Sequence, residues 1–218
     1  MSDHSCPLCL SPKSEHFFED KKRRYLRCTH CALVFVPKQY WLSEEEEKAE
    51  YDKHDNDPND LGYRKFLSRL HDPMIALLAR SSNGMDFGCG PGPALAQMFQ
   101  ERGHNVALYD KFFYPDETLL DEHHHQYDFI STTEVVEHLH EPAKVLDQLW
   151  RLLKPGGYLG VMTKLVIDQP AFSTWHYKND PTHICFFSKP TLQWLANKWH
   201  AELEFFAADA FVFRKPRL

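Results

Sequence analysis

Residues 85–92 read Met-Asp-Phe-Gly-Cys-Gly-Pro-Gly. Three glycines, Gly88, Gly90 and Gly92, alternate behind one acid, Asp86. A second acid, Asp110, closes a predicted strand eighteen positions after Gly92. Glycines so spaced let a backbone turn sharply from strand to helix and approach a ligand closely. A carboxylate about twenty residues further on is placed to hold a ribose diol. A dinucleotide fingerprint would read G-x-G-x-x-G. Here the third glycine comes one residue early and Pro93 follows it. The plain alternative to a nucleoside site is a glycine-rich turn that binds nothing.

Four of the six cysteines form a second group. Cys6-Pro7-Leu8-Cys9 and Cys28-Thr29-His30-Cys31 are two C-x-x-C pairs with eighteen residues between them. That spacing marks a zinc ribbon, in which two tight knuckles present four thiolates to one ion. Iron in a rubredoxin-like site is the main competitor, and a redox-active pair fits less well. A four-cysteine shell leaves no open position, so the expected zinc is structural. A segment of about forty residues buries little core, and zinc binding worth about 10–16 kcal/mol in finger peptides replaces one. His4, His16 and His30 read as solvated surface histidines, and Phe87 and Cys89 as packing.

The elements that must position these groups follow from pattern. The cysteine module, residues 1–37, carries strands at 16–19, 25–27 and 33–36, with a basic turn at 21–24. Residues 38–61 are a linker with a short acidic helix, begun by a capping box at 43–46. A helix starts at Gly62, with Phe66, Leu67 and Leu70 on one side. Pro73 is expected to break it and begin another. A strand enters Asp86, although residues 81–85 lack an apolar run. A helix follows at 94–102, stopped by Gly103, and then a strand at 106–109. Residues 111–126 are a short space for a third strand and helix, with only Leu119 and Leu120 strand-like. His123, His124 and His125 read as a surface helix end rather than a metal site. Next come a strand at 127–130, a helix at 142–153, a tight turn at 154–157 and a strand at 158–163. An aromatic connection spans 164–187. A helix from Ser188 to about residue 200 and two close strands at 203–206 and 210–214 end the chain. Strand–helix alternation implies a parallel sheet with helices on both faces.

Composition bounds the function. With 43% hydrophobic residues the chain can build a substantial core, and no apolar run approaches the ~20 residues that span a membrane. Residues 1–40 hold seven Lys/Arg against four Asp/Glu, a net of +3, which leaves −9 elsewhere in a chain of net −6. An acidic main domain argues against a long phosphate-tracking groove. The beginning of the chain lacks a charged-then-apolar signal, so a cytoplasmic location is expected.

The pattern D-x-G-x-G-x-G at 86–92 resembles motif I of the class I S-adenosylmethionine-dependent methyltransferases. The acid ending strand 2, the segment Glu134-Val135-Val136-Glu137-His138 after strand 4 and the turn Lys154-Pro155-Gly156-Gly157 follow in family order. The E-x-x-E-H and K-P-G-G features resemble the subgroup containing ubiquinone-biosynthesis O-methyltransferases. The cysteine head resembles that of certain sugar C-methyltransferases, which are usually longer. The resemblance covers residues 62–218. It implies a Rossmann-like, doubly wound α/β fold with seven strands, the last antiparallel, beside the small zinc ribbon.

The resemblance also implies roles. Gly88, Gly90 and Gly92 pass beneath the methionyl part of S-adenosylmethionine, and Asp86 reaches its ammonium or braces the loop. Asp110 takes both ribose hydroxyls, and Lys111 flanks the adenine through its backbone. Asp121 is the nearest acid for the adenine amine. Thr132, Thr133 and Glu134 lie toward the sulfonium. Tyr63 and Arg64 open a helix over the cofactor, where an ordinary amphipathic helix is the simpler reading. Methyl transfer to O, N or C needs positioning and often a proton acceptor. His183 is the first choice as base, with Tyr177 and Asp180 beside it and His138 as another candidate. For both histidines a purely structural role is the alternative.

The leading expectation is a methyltransferase for a small-molecule acceptor. A second is an RNA or protein methyltransferase that docks through Lys21, Lys22, Arg23, Arg24 and Tyr25 of the ribbon. A third is a non-catalytic protein using the ribbon as a partner platform. Pattern alone fixes neither the oligomeric state nor the acceptor atom.

Overall fold

A computed structural model describes residues 5–53, 56–121 and 126–217. His4 and the trio His123, His124 and His125 lie outside the described residues. The central sheet has six strands among the described residues. These are β4 (Asn83–Phe87), β5 (Asn105–Tyr109), β6 (Tyr127–Thr133), β7 (Leu153–Met162), β9 (Glu202–Phe205) and β10 (Ala210–Arg214), in the order β5-β4-β6-β7-β10-β9. The first four are parallel to one another. β10 runs antiparallel to both β7 and β9, so the expected antiparallel last strand is present.

The seventh strand expected in 111–126 is missing from the described residues. Leu119 and Leu120 sit instead in a 3-10 turn, Glu117–Leu120, capped by the Asp116 side chain. With Leu120 buried and Leu119 partly so, the turn uses its apolar residues as a plug rather than as a strand face.

The weak look of β4 has a packing cause. Its residues Gly84 to Phe87 are all buried. Gly84 is a glycine because the Phe129 ring of β6 crosses directly over it, and a Cβ there would run into that ring. Phe129 and Phe99 then pack at 4.7 Å between centroids, tilted by 46°. The apolar run that patterning looks for is supplied by the neighbouring strand.

The helices follow their caps. In α1 (Glu44–Tyr51) the capping box forms, with Ser43 N donating to Glu46 Oε2 at 2.8 Å and Glu46 N to Ser43 Oγ at 3.3 Å. α2 (Leu61–Leu77) is one helix and not two, for Pro73 lies inside it. The proline costs one intrahelical hydrogen bond. Leu67, Leu70 and Met74 are nevertheless buried on one face, and that continuous apolar contact with the sheet carries the helix through. α3 (Ala94–Glu101) and α4 (Pro142–Leu152) complete the crossovers. α6 (Lys189–Trp199) starts at the Ser188 cap and stops at His200, whose φ is +53°.

The N-terminal strands β1 (Ser14–Glu19), β2 (Arg24–Cys28) and β3 (Val34–Phe35) form an antiparallel sheet whose fourth member is β8 (Cys185–Phe186). β8 belongs to the connection after β7, which also holds α5 (Gln169–Ser173). Phe172 of α5 is buried among the rings of Phe17, Tyr25 and Phe186, at 5.0–5.4 Å. The cysteine-bearing strands therefore share a sheet and a core with the far connection. Among the described residues no helix is long and apolar enough to cross a membrane.

Candidate active site

β4 and β6 are parallel, and the loops that leave their C-terminal ends open onto one crevice, where open α/β sheets bind ligands. The crevice is a cavity of about 930 Å³. Its floor is the glycine loop and Asp110, and its roof is Tyr51 of α1, Asn56 and Tyr63 of α2. Its far wall is Thr133 and Glu134 together with His138, Tyr177, Asp180 and His183.

On the floor Gly88 has φ +74°, its N–H donates to the Tyr109 carbonyl at 2.7 Å, and a Cβ would strike Val135. Gly90 also has positive φ, and its N–H donates to Asp110 Oδ2 at 3.0 Å. Asp110 Oδ1 accepts from the N–H groups of Phe112 and Phe113 at 2.9 and 3.1 Å. A carboxylate has about four acceptor positions. Three backbone donors fix its direction and leave capacity toward the cavity. Gly92 does not line the cavity; its Cα lies against the Asn56 backbone, where a side chain would not fit. Lys111 lines the rim, with its ammonium on Glu44 Oε1 at 2.7 Å.

Asp86 is buried and accepts from Ser131 Oγ at 2.8 Å. Burial pushes its carboxyl up to about 6, against the opposing hydrogen bonds from Ser131 and the Ala96 N–H. It also lines the cavity.

The far wall holds a cluster of proton-handling groups. The Tyr177 hydroxyl donates to Glu137 Oε1, lies 3.2 Å from Glu134 Oε2 and 3.3 Å from Thr163 Oγ1. Glu137 is fully buried. Burial, with the Glu134 charge beside it, pushes its carboxyl up to about 8. Burial also raises Glu134, whose φ is +54°. Glu134 Oε1 and Glu137 Oε2 are buried without a hydrogen-bond partner, so the wall has acceptor capacity to spare. Burial and both carboxylates push the Tyr177 phenol well above its ordinary value, so it stays a donor.

His183 Nδ1 lies 2.7 Å from the Tyr177 carbonyl oxygen. A carbonyl only accepts, so Nδ1 carries the proton and Nε2 keeps its lone pair. Burial lowers the basicity of His183, against the pull of Asp180, and the ring is neutral at pH 7. His138 Nδ1 is 3.3 Å from the Thr182 carbonyl oxygen, and its ring centroid is 4.6 Å from that of His183.

Two groups have metal-ligating chemistry among the described residues. Cys6, Cys9, Cys28 and Cys31 bring their sulfurs within 4.8 Å of one another. Cys28 Sγ also accepts the N–H of His30 at 3.3 Å and of Cys31 at 3.5 Å, as in a knuckle. Glu137, His138 and His183 converge equally closely.

Sequence reasoning thus brought Asp86, Gly88, Gly90, Asp110, Lys111, Thr133, Glu134, His138, Tyr177 and His183 to one cavity. Arg64 turns away, pairing with Glu101, and Asp121 does not line the cavity. Of the ribbon residues expected to meet a partner, Arg23 and Tyr25 are buried, whereas Lys21, Lys22 and Arg24 are exposed. Tyr51 and Asn56 were missed because they lie in what reads as linker. The capping box signalled the helix but not the cavity beneath it.

The sequence model of the methyltransferase domain matches residues 60–203. The chain belongs to the methyltransferase domain family. The ubiquinone biosynthesis O-methyltransferase of Citrobacter koseri is 29% identical over a match covering 44% of this chain and 50% of that protein. The chain therefore spans about half the length of the curated relative it matches. Two solved structures share the fold of this methyltransferase domain. One is a Burkholderia thailandensis 1,6-didemethyltoxoflavin-N1-methyltransferase with bound 1,6-didemethyltoxoflavin and S-adenosylhomocysteine. It has a TM-score of 0.52 and 17% identity, covering 93% of this chain and 99% of that one. The other is human N-acetylserotonin methyltransferase with S-adenosylmethionine. It has a TM-score of 0.51 and 16% identity, covering 80% and 60%. The Rossmann-like α/β architecture expected from motif order is thereby established.

Proposed function

We propose that this methyltransferase domain moves the methyl group of S-adenosylmethionine to a nucleophilic atom of a small molecule. One observation carries the reading. A single cavity is lined by the glycine loop and Asp110 and also by Tyr177 and His183. When bound, S-adenosylmethionine supplies a methyl group already activated on a sulfonium sulfur. The Gly88 and Gly90 backbone cradles its methionyl part, Asp110 accepts from its ribose hydroxyls and Lys111 flanks the base. Asp86 holds the loop in shape. Thr133 and Glu134 face the methyl end.

What the chain then contributes is placement and a proton acceptor. Holding the reacting atoms in line supplies about 7–11 kcal/mol of the barrier. His183 Nε2 would take the proton that an acceptor O–H, N–H or activated C–H gives up when its heavy atom gains the methyl group and the sulfonium S–CH3 bond breaks. Tyr177 and Glu134 face the acceptor, and Glu137, buried behind them, holds the Tyr177 phenol in place. His138 supports the His183 ring.

We infer that Cys6, Cys9, Cys28 and Cys31 hold one structural zinc, since four convergent thiolates with knuckle N–H···S bonds suit that ion. The RNA-docking reading is weakened, because two of its five contact residues are buried against this chain's own connection. Purified protein, radiolabelled S-adenosylmethionine and separated small-molecule, RNA and protein fractions of a cell extract test the acceptor class. Label in the small-molecule fraction supports the proposal. Label confined to RNA or protein overturns it.

A further inference from the structure

Arg23 sits in the basic turn between β1 and β2, yet it is only 8% exposed. Its guanidinium spends four of five N–H groups inside the protein. Nη2 donates to the carbonyl oxygens of Lys178 and Asp180 at 2.5 and 2.8 Å, and Nη1 to that of Pro181 at 3.1 Å. Nε donates to the Tyr25 hydroxyl at 2.9 Å, and that hydroxyl lies 3.3 Å from the Lys178 carbonyl oxygen. The three carbonyls belong to the end of the 3-10 turn His176–Asn179 and the residues just after it, and the Asp180 carbonyl also accepts the His183 N–H at 3.3 Å.

A second tie runs the other way. Lys178 is buried, and its ammonium meets Asp20 Oδ2 at 2.9 Å. Asp20 also accepts from the N–H groups of Lys22 and Arg23, which shapes the turn that presents Arg23. Burial alone would raise the Asp20 carboxyl, but Lys178 and these N–H groups outweigh it and hold it near 2. Asp20 therefore stays ionised at any working pH.

The segment held in this way is the far wall of the cavity. Tyr177 precedes Lys178, and His183 follows Pro181 by two residues. The His183 Nδ1–H in turn rests on the Tyr177 carbonyl. A shift of the 178–181 backbone would displace both side chains together. Lysine can replace Arg23 here only in part, since a point charge with three donors lacks the planar fork that spans three carbonyls.

We propose that Arg23 is a positioning residue of the acceptor wall, setting Tyr177 and His183 through the backbone of Lys178, Asp180 and Pro181. The cysteine-bearing sheet then serves the active site of its own chain. This rests on the reading of His183 and Tyr177 as acceptor-side groups.

Arg23→Ala, Arg23→Lys and Tyr25→Phe, each in the full chain with zinc content measured, test it. The first readout is amide hydrogen exchange at residues 182–184. The second is the imidazole nitrogen NMR spectrum, which reports the His183 tautomer. The third is calorimetric titration with S-adenosylmethionine. In Arg23→Ala, exchange at 182–184 rises about tenfold or more, as expected for loss of charge-assisted hydrogen bonds. The fixed Nδ1–H tautomer is lost, and S-adenosylmethionine affinity stays within about twofold. Arg23→Lys restores part of the protection. Tyr25→Phe, which keeps the ring, loosens the segment to a smaller extent and decides the matter should Arg23→Ala not fold. Unchanged exchange and tautomer in a folded, zinc-replete variant overturn the proposal. So does an equal loss of cofactor affinity, which would mark a general structural role. If the unaltered protein does not bind S-adenosylmethionine, the methyltransferase reading fails, while exchange and tautomer still decide the clamp.

Discussion

His183 donates its Nδ1–H to the main-chain carbonyl of Tyr177, 2.7 Å away, so the second nitrogen of this buried imidazole keeps its lone pair, 3.8 Å from Asp180 Oδ2. The same seven-residue segment, 177–183, supplies the phenol that joins Glu134 to Glu137. The proposed base and the Tyr177 hydrogen bonds therefore belong to one structural unit.

Replacing the base should expose its share of the reaction. His183→Asn keeps a side-chain N–H for the Tyr177 carbonyl but has no basic nitrogen. With an acceptor found by the fraction assay, kcat is expected to fall about 10²–10⁴-fold, with S-adenosylmethionine affinity unchanged. In the unaltered protein kcat/KM rises with pH through a midpoint below 6.5, because burial lowers His183. An unaltered kcat in His183→Asn would remove this histidine from the mechanism.

Glu137 makes stability depend on pH. Its carboxyl ionises near 4.5 when free and near 8 when folded. Between those values the folded state binds more protons than the unfolded one, so stability falls as pH rises. The penalty is absent below about 4.5, complete above about 8, and amounts to several kcal/mol at about 1.4 kcal/mol per pKa unit. Asp86, raised to about 6, adds in the same direction over a narrower window. Glu137→Gln should flatten the slope of denaturant midpoint against pH from 5 to 8. Equal slopes in the two proteins would contradict the burial account.

Gly84→Ala tests the packing of β4. The added methyl meets the Phe129 ring. Overpacking of this kind costs about 1–3 kcal/mol, which lowers Tm by roughly 2–4 °C per kcal/mol in a domain of this size. Phe129→Leu in the same chain should recover part of the loss. A Tm unchanged by Gly84→Ala would mean that the strand shifts freely.

Metal analysis should find one zinc per chain, lost in Cys28→Ser. Because β3 pairs with β8, chelation should raise amide exchange in 184–186 as well as in 25–35. Exchange confined to the N-terminal segment would show that the two parts are independent.

Much of this was legible in the sequence because chemistry constrains it tightly. The alternating glycines, Asp110 and the paired C-x-x-C motifs each satisfy a local geometric demand within a few residues. The antiparallel last strand followed from the family resemblance. What was illegible depends on distant partners. Gly84 weakens β4 on paper because Phe129, forty-five residues away, fills its face. Pro73 reads as a break, yet the apolar face shared by Leu70 and Met74 spans it. Arg23 and Tyr25 look like surface contacts because nothing local reveals the carbonyls at 178–181 that bury them. The contracted 111–126 region showed its shortness, but not that Leu119 and Leu120 turn inward as a 3-10 plug.

The central claim is the cofactor end of the cavity, and calorimetric titration of zinc-loaded protein with S-adenosylmethionine, beside Asp110→Ala, tests it most directly. The account predicts micromolar binding to the unaltered chain and loss of at least about 1.5–3 kcal/mol of it, more than tenfold in affinity, in the variant. Absence of binding to well-folded protein, or equal binding by Asp110→Ala, would contradict it.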